Sequence, residues 1–373
     1  MEKQVNGHQI IQLFEQFSPK KLAMEHDPIG LQIGRLNQPV NRVLVALDVT
    51  EAVVDEAISQ NAQLIIAHHP IIYRPLKYIH TDEPAGKIIA KLILHDIAVY
   101  VAHTNLDITE GGVNDWLADA LQLTNTTVLV PTTEDHLKKL VVFVPKTHAE
   151  QVRQAMTEAG AGYIGDYSHC TFTSLGEGRF KPEEGTAPFI GAHHQLEVVE
   201  EARIETVVTS SIESSVIKAM IKAHPYEEVA YDVYPEDRKG KELGLGRVGV
   251  LADSMTLEEF CEHVKKSLDV PKVRFVGNLK DRIKKVAILG GTGNKYTKAA
   301  KFSGADVYVT GDVDYHIAHD AIMMGLRIVD PGHNIEKVMK KGTAVEMAKR
   351  CLDKGFNVEF IPSSIHTDPF SFQ

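Results

Sequence analysis

The chain has 373 residues, of which 43% are hydrophobic and 24% charged, and its formal net charge is −10 at pH 7. This length and apolar content predict a globular protein of two or three domains. Acidic and basic residues are interspersed without a basic run, which argues against nucleic-acid binding and against attachment to an anionic membrane. We therefore expect a small molecule or another protein as the partner.

The N-terminal segment and the cysteines indicate a cytoplasmic protein. MEKQVNGHQIIQLFEQF has apolar residues at near-helical spacing with charges throughout, so it resembles neither a signal peptide nor a membrane span. Cys170, Cys261 and Cys351 lie far apart with no CxxC pair. Such spacing fits ordinary thiols in a reducing compartment better than a disulfide framework.

Six short apolar runs predict the strands of an α/β domain with a mostly parallel sheet. Each run is followed by a turn and a helical pattern, which is typical of βα units. Thr50 is suited to cap the first of these helices and Pro84 to begin the second. The six runs are Val43–Leu47, Leu64–Ala67, Ala98–Ala102, Val286–Leu289, Val307–Thr310 and Leu326–Val329.

The middle of the chain has a different pattern, which predicts an inserted α+β domain. Its β-α-β and β-α-β halves, separated by a Gly/Ser/Thr-rich run, suggest a ferredoxin-like module. The predicted elements are Leu140–Val144, Ala149–Ala159, Glu205–Thr209, Ser214–Ala223 and Val229–Val233. Pro235–Gly246 is a polar, glycine-rich return to the first pattern. We therefore predict an α/β domain in two parts, residues 1–136 and 236–373, interrupted by an inserted domain at residues 137–235.

Side chains of the kinds that bind metals follow three of the six runs. HHP ends the second run, HTNLD the third and DPGHNIE the sixth. Because parallel strands point the same way, groups at their carboxyl ends collect along one edge of the sheet. We expect three imidazoles and two carboxylates to converge there as metal ligands, namely those of His68, His69, Asp107, His333 and Glu336.

The spacing of these residues favours two ions over one. Adjacent strand residues face opposite sides, but at the strand end before Pro70 each imidazole of the pair can take its own ion. His333 and Glu336 share a face of an opening helical turn, and either Glu336 or Asp107 could bridge. Singly, each residue has an ordinary explanation as a surface histidine, cap or turn former. Their coincidence at three strand ends favours the metal interpretation.

Nitrogen and oxygen donors without thiolate suit Zn, Fe, Mn or Co, so we expect two divalent ions per chain of open identity. Two ions about 3.5–4 Å apart would acidify a bridging water toward hydroxide, which can attack a carbonyl carbon, an imine-type carbon or phosphorus.

Four further polar residues are candidates to orient the ligands or a substrate. Capping and turn roles explain each of them equally well. They are Asp48, Asn105, Asp312 and His316. The loop LGGTG after the fourth run lacks a complete GxGxxG or GK[ST] motif, so a tight turn is favoured over an anion site.

Several segments resemble the NIF-three-like family, often labelled GTP cyclohydrolase 1 type 2 homologues. HHP, HTNLD and GHxxE in this order are the specific motifs. The matching segments are DPIGLQIG (Asp27–Gly34), VLVALDVT (Val43–Thr50), IIAHHP (Ile65–Pro70), AHTNLD (Ala102–Asp107), LGLGRVG (Leu243–Gly249), VTGDVDYH (Val309–His316), DPGHNIE (Asp330–Glu336) and TDPF (Thr367–Phe370).

The resemblance implies a ring-like homohexamer with a dinuclear metal centre, and it assigns the same five residues as ligands. Many family members separate the histidine and glutamate by more residues than His333 and Glu336. KLVVFVP and AHPYEEVAYDVY in the predicted insert resemble PII-like and CutA-like modules.

Two functions remain open on this basis. The first is a metal-dependent hydrolase acting on GTP, a related nucleotide, another heterocycle or a phosphoester. The second is a non-catalytic metal-binding, metal-trafficking or regulatory hexamer in which the insert is a sensor or gate.

Overall fold

The structure is a computed structural model that describes residues 5–371. It is a mixed α/β protein. Its contacts form two compact units: unit 1 combines the chain up to Thr133 with the chain from Leu243 onward, and unit 2 is Glu134–Glu242.

The regular elements alternate along most of the chain. The strands are β1 (Gly30–Ile33), β2 (Arg42–Ala46), β3 (Leu64–Ala67), β4 (Ala98–Val101), β5 (Thr124–Asp135), β6 (Leu137–Pro145), β7 (Thr171–Phe180), β8 (Glu197–Thr209), β9 (Tyr231–Pro235), β10 (Lys241–Thr256), β11 (Arg274–Val276), β12 (Arg282–Thr292), β13 (Val307–Gly311), β14 (Arg327–Asp330) and β15 (Glu359–Pro362). The α-helices are α1 (Gly7–Phe17), α2 (Glu51–Ser59), α3 (Pro84–Leu94), α4 (Thr104–Ile108), α5 (Val113–Ala120), α6 (Ala149–Glu158), α7 (Glu213–Ala223), α8 (Leu257–Ser267), α9 (Thr297–Phe302), α10 (Tyr315–Met324) and α11 (Val338–Asp353). The 3-10 helices are Lys20–Leu22, Lys146–His148, Asn294–Tyr296 and His333–Lys337.

The first sheet of unit 1 has the strand order β1-β4-β3-β2-β15. β15, β2, β3 and β4 are parallel, and β1 pairs with β4 in the antiparallel direction. Along β2, Val43 and Val45 belong to one core cluster while Leu44 and Ala46 belong to another. Because alternate residues face opposite sides of a strand, this sheet is buried on both faces, which explains the continuous apolar runs.

The second sheet of unit 1 has the order β11-β14-β13-β12-β10-β5. Its centre, β12 to β14, is parallel, whereas β11 pairs with β14 and β10 pairs with β12 in the antiparallel direction. One core cluster contains Val43 and Val45 of the first sheet together with Val286, Val307 and Val329 of the second. The two sheets therefore share a core, so loops from both halves of the chain can meet.

Unit 2 has a four-stranded antiparallel sheet of order β7-β8-β6-β9. Its own core cluster draws residues from β6, β8, α6 and α7, including Leu140, Val152, Ile204 and Met220. This separate core explains why residues 134–242 form a compact unit of their own.

The six predicted apolar runs all correspond to strands, and both predicted helix starts are confirmed. The Thr50 side chain accepts a hydrogen bond from the Val53 amide, and α3 begins at Pro84. Two strands were not located from the sequence: β10 already begins at Lys241, inside the polar, glycine-rich return, and the Gly/Ser/Thr-rich run contains β7. Within residues 5–371, no helix is both long enough and apolar enough to span a membrane.

Candidate metal centre

The tandem histidines directly follow β3 and remain hydrogen-bonded to the neighbouring strand. The His68 amide donates to Ala46 O at 3.1 Å and the His69 amide to Leu47 O at 2.9 Å. The continued pairing fixes the backbone, so the two side chains leave it in different directions. The His68 side chain is fully buried, while 22% of the His69 side chain is exposed.

Asp107 lies on α4, the short helix that follows β4. Its amide donates to His103 O at 3.1 Å, and its carbonyl accepts from the Asn114 side chain at 2.9 Å. Asn114 also accepts from the Gly290 amide of β12 at 3.0 Å. The Asn114 side chain therefore links the backbone of α4 at Asp107 to β12 of the second sheet.

His333 and Glu336 lie on the 3-10 helix that follows β14. Gly332, with φ +85°, turns the chain into this helix, and Gly291 of β12 passes directly beneath it. A Cβ atom on Gly291 would lie 2.7 Å from Oε1 of Glu336. A glycine is required there both by this close approach and by the φ of +62°.

Glu336 joins the ligand group through one carboxylate oxygen. Its Oε2 lies 3.1 Å from Nε2 of His69, 3.2 Å from Nε2 of His333 and 3.8 Å from Nε2 of His68. Asp107 Oδ1 lies 3.6 Å from the same His68 atom. Atoms that share a tetrahedral ion with bonds of about 2 Å lie about 3.3 Å apart, which these distances bracket.

The buried half of the group contains two acceptor atoms without donors. His68 Nδ1 is 2.9 Å from Ala102 O, which can only accept, so Nδ1 carries a proton and, in the neutral imidazole that binds a metal, Nε2 presents a lone pair. That Nε2 and Asp107 Oδ1 are both buried without a hydrogen-bond partner among the described residues. Two facing acceptors in a buried place are costly unless a cation lies between them. The donor set thus fits a metal ion.

Two chains of hydrogen bonds fix the more exposed imidazoles. Nδ1 of His69 is 2.7 Å from Oδ1 of Asp48, whose other oxygen accepts from the Thr367 hydroxyl. This arrangement turns Nε2 of His69 toward Glu336, as metal-binding histidines require.

The second chain repeats the first on the other half of unit 1. Nδ1 of His333 is 2.6 Å from Oδ2 of Asp312, and the Thr292 hydroxyl donates to the same oxygen at 2.8 Å. Both imidazoles that flank Glu336 are therefore held by a Thr–Asp–His chain.

The electrostatics of the group show how strongly it attracts positive charge. Burial alone would lower the pKa of His69, but hydrogen bonds to Asp48 and Glu336 outweigh burial and raise that pKa to about 10. The hydrogen bond to Glu336 raises the pKa of His333 to about 9 against the effect of burial. Burial raises the pKa of Asp107 to about 6. Burial would raise the pKa of Glu336, but hydrogen bonds from His333 and His69 outweigh burial and hold that pKa well below its usual range.

His103 is a further histidine at the centre that the sequence did not single out. Its Nδ1 is 2.8 Å from the buried carboxylate of Asp27, and its ring centroid is 5.2 Å from that of His68. The ring nitrogens of His68, His69 and His103 lie within 4.8 Å of one another. The sequence did contain a signal for it, since His103 lies two residues after the end of β4, in the motif AHTNLD.

The structure brings together the five predicted ligands in two groups that share Glu336, one with His68 and Asp107 and one with His69 and His333. Of the four predicted orienting residues, two contact the ligands directly: Asp48 and Asp312.

The other two predicted orienting residues have different surroundings. Asn105 is buried and bonds to Ser18 and to the His103 amide. His316 is exposed on α10 against the ring of Tyr315, and no described hydrogen bond or ion pair joins it to the ligands.

A pocket of about 260 Å³ opens beside the exposed edges of His69 and His333. One side is formed by the C-terminal segment Thr367–Phe370. This segment therefore contributes both a pocket wall and, through Thr367, part of the support of His69.

The fold and the ligand group define an α/β protein with a buried histidine and carboxylate site that could hold a metal ion. Residues 5–369 match the family described as Duf34/NIF3 (NGG1p interacting factor 3), and the chain belongs to this family. This result confirms the resemblance inferred from the motifs.

The similarity extends over the full length of several relatives. The chain is 60% identical over 370 residues to a GTP cyclohydrolase 1 type 2 homolog of Halalkalibacterium halodurans, covering 99% of this chain and 100% of that protein. It is 59% identical over 372 residues to the Bacillus subtilis homolog of the same name, covering 100% of each. The crystal structure of a Bacillus cereus protein related to NIF3 superimposes with a TM-score of 0.93 at 61% identity, covering 100% of both chains.

Proposed function

We propose that this protein is a metal-dependent hydrolase that holds two divalent ions in unit 1. His68 and Asp107 serve one position, His69 and His333 serve the other, and Glu336 is shared. The observation that carries the proposal is the pair of buried acceptor atoms without donors, Nε2 of His68 and Oδ1 of Asp107.

The two proposed metal positions differ in their access to solvent, and the more exposed position is the one that a substrate can reach. The side chains of His68 and Asp107 are 0% and 11% exposed, whereas those of His69 and His333 are 22% and 38% exposed. The ions supply Lewis-acid chemistry that makes water a nucleophile at neutral pH, and the nitrogen and oxygen donors suit Zn, Fe, Mn or Co. The half of the group with His69 and His333 faces the 260 Å³ pocket, so a substrate enters from that side.

The substrate class that we propose is a nucleotide or a related heterocycle, opened by water. The pocket of about 260 Å³ lies just below the roughly 300–1,000 Å³ of typical small-molecule sites, so it would hold one ring of such a substrate and not a whole nucleotide. The Phe370 side chain at its wall is 70% exposed. An exposed aromatic ring offers a flat apolar surface for a heterocycle. Relatives at 60% and 59% identity carry the name GTP cyclohydrolase 1 type 2 homolog, which is consistent with this class.

Elemental analysis combined with a substrate screen tests the proposal. Purified protein supplied with Zn, Mn or Fe should bind two ions per chain, and His68→Ala and Glu336→Ala should bind fewer. A screen of nucleotides, heterocycles and phosphoesters should show turnover in the wild type above both variants. Fewer than two ions in the wild type would overturn the dinuclear assignment, and full metal content without turnover would overturn catalysis.

A non-catalytic metal-binding or regulatory role is the second candidate. It is favoured by the burial of the inner ligands, because closed sites without an accessible position are typical of structural ions. In this case chelation should lower the unfolding temperature, and no substrate in the screen should be turned over. Unit 2 would then act as the sensor or gate.

We propose that the protein assembles as a homohexamer, as the family resemblance implies. We also propose that unit 2 is a ferredoxin-like module. The loop between β3 and α3 exposes Tyr73, Tyr78 and Ile79 by 68%, 65% and 54%, which supports self-association. The strand order β7-β8-β6-β9 with two helices supports the module. Light scattering should give a mass six times the 41.3 kDa of one chain, and a monomer or dimer would contradict the hexamer.

A further inference from the structure

Unit 2 contains a pocket of its own, built from residues that the metal centre does not use. It has a volume of about 380 Å³ and lies between the end of β7, the loop that follows it, and the segment before β9. That volume lies in the range of roughly 300–1,000 Å³ typical of small-molecule sites. The segment before β9 carries the motif HPYEE, for which the metal centre provides no role.

The walls of this pocket are aromatic. The rings of Phe180 and Phe189 both pack against Tyr226, with centroid distances of 5.7 Å and 6.3 Å. Pro182 and Pro188 complete the apolar lining. The Phe189 side chain packs against the His148 ring at a centroid distance of 5.4 Å and is still 54% exposed, so part of an apolar ring stays open at the cavity.

The loop that forms the outer wall is held in place before any ligand binds. The Ala187 amide donates to the Glu227 carboxylate at 2.9 Å, which joins the loop to the HPYEE segment. The His194 amide donates to Pro182 O at 2.7 Å at the base of the loop. A preformed wall reduces the ordering cost of binding.

The polar groups that line the pocket are mostly acceptors with negative charge. Four of the six charged side chains are glutamates: Glu183, Glu201, Glu227 and Glu228. Glu201 lies at the aromatic wall, where its Oε1 accepts from the Tyr226 hydroxyl at 3.3 Å.

The two basic side chains of the lining already have acidic partners. Arg179 donates to Glu177 at 2.8 Å and 2.6 Å, and Lys181 is 3.7 Å from Glu183. Glu183 is also 3.1 Å from Nδ1 of His194, so the charges left to set the field are those of Glu201, Glu227 and Glu228. That field is negative, which disfavours phosphates and carboxylates and favours a cation.

We propose that the aromatic pocket of unit 2 binds a small organic cation, an ammonium group carried on an apolar body. The ammonium group lies against the faces of Tyr226 and Phe180, which attract cations through their ring quadrupoles. Glu201 supplies the counter-charge, and Phe189 covers the apolar body.

Titration of the full-length protein with benzylamine, benzyl alcohol and benzoate tests the proposal. These probes share one ring and differ in charge, and calorimetry on chelator-treated protein keeps the amine away from metal ions. Benzylamine should bind roughly tenfold or more tightly than either other probe, as expected for an ammonium between rings and a carboxylate. Absence of benzylamine binding, or equal binding of all three probes, would overturn the proposal.

Three variants test whether benzylamine binds in this pocket. Glu201→Gln should weaken benzylamine roughly tenfold while leaving benzyl alcohol unchanged, because only the charge is removed. Phe189→Ala, at an exposed position, should weaken both probes and keep the unfolding temperature. Phe172→Ala, at a 68% exposed ring on β7 outside the pocket lining, is the matched control and should change neither probe. Unchanged benzylamine binding by both Glu201→Gln and Phe189→Ala would refute the assignment.

Discussion

At the scale of single residues, the centre depends on how closely the second sheet approaches Glu336. One oxygen of this carboxylate reaches three imidazoles, and the other lies over Gly291. Because the side chain of Glu336 is only 4% exposed, it cannot move outward without losing these contacts. Gly291 of the segment LGGTG is thus explained by packing against Glu336. The tight turn expected for this segment does not form at its first two glycines, because β12 continues through Thr292.

Gly291→Ala should displace Glu336 and weaken metal binding. The new Cβ would lie 2.7 Å from Oε1 of Glu336, and φ is +62°. Gly355→Ala is the control for the strain of placing alanine at a positive φ, since its φ is +70° and no atom lies within 4 Å of the added Cβ. Both variants should lose about 1 kcal/mol of stability from left-handed strain, but only Gly291→Ala should lose metal in elemental analysis. Equal metal content in the two variants would contradict this role of Gly291.

The Thr–Asp–His chains predict that two hydroxyl groups tune metal affinity without touching a metal. Thr367→Val and Thr292→Val remove the donors to Asp48 and Asp312, and each should weaken metal binding about tenfold, the lower end of the range for such supporting contacts. Competition with a fluorescent chelator measures the affinity. Thr367→Ser should restore it, because serine keeps the hydroxyl.

Thr343→Val is the matched control for these variants. The Thr343 hydroxyl is buried without a hydrogen-bond partner among the described residues, so its removal should leave metal affinity unchanged. An effect of Thr343→Val as large as that of Thr367→Val would show that the loss comes from general packing.

Metal uptake should release protons. In the metal-free protein the pKa of His69 is raised to about 10 and that of His333 to about 9, so both imidazoles are protonated near neutral pH. A metal needs the neutral imidazoles, so binding should release about two protons, and affinity should rise with pH. Calorimetry in buffers of different ionisation enthalpy counts them. No dependence on the buffer would contradict the prediction, and Asp48→Asn should lower the count.

The same pKa values fix the sign of the stability change without metal. Both pKa values lie above the ordinary value of 6.5, so the folded state binds these protons more tightly than the unfolded state. Their contribution to stability is therefore complete below pH 6.5 and is lost as the pH rises through about 9 to 10.

At the scale of elements, the sequence predicted the strands that are buried on both faces of a sheet. It missed the strands that are largely exposed or that begin with a polar stretch. The runs at β2, β3, β4, β12, β13 and β14 are continuous and apolar because sheets of unit 1 are covered on both sides. By contrast β7, TFTSLGEGRF, is largely exposed, and β10 begins with a charged, glycine-containing stretch. Such strands are specified by partners distant in sequence, which propensity does not reveal.

At the site too, the sequence could not reveal contacts between residues that are distant along the chain. The five predicted ligands could be found because each lies within a few residues of a strand end, His68 and His69 directly after β3 and the other three on the short helices that follow β4 and β14. Asp27, Thr367 and Thr292 contribute through contacts with residues distant in sequence, such as Thr367 with Asp48. The motifs DPIGLQIG and TDPF contain two of these residues, but only the structure shows what they contact.

Helix α11, which follows the 3-10 helix of His333 and Glu336, packs against α5 through Gly342. A Cβ on Gly342 would lie 2.3 Å from the Trp116 ring. Alanine normally favours a helix over glycine by about 1 kcal/mol, but here overpacking of about 1–3 kcal/mol should exceed that gain. Urea unfolding should therefore show Gly342→Ala destabilised. Lys341→Ala, at the exposed neighbouring position, should be near neutral, and Trp116→Phe should partly rescue Gly342→Ala.

At the scale of the whole molecule, the two units divide the proposed functions. The five proposed metal ligands all belong to unit 1, which consists of two stretches of chain separated by unit 2. The cation pocket lies within unit 2. β5 leads into unit 2 and β10 leads out of it, and the two strands are neighbours in one sheet. The chain therefore enters and leaves unit 2 at nearly the same place, as expected for an insertion.

Replacing Glu134–Glu242 with a short glycine-containing linker should leave the metal centre intact. The ends to be joined are close, since the Thr132 hydroxyl donates to Leu243 O at 3.3 Å. The core of unit 1 uses no residue of the deleted segment, so the shortened chain should fold and keep the metal content of the full chain, while benzylamine binding should disappear. Insoluble protein, or soluble protein without metal, would show that unit 2 is needed to form the centre. Benzylamine binding that persists would place the cation site in unit 1.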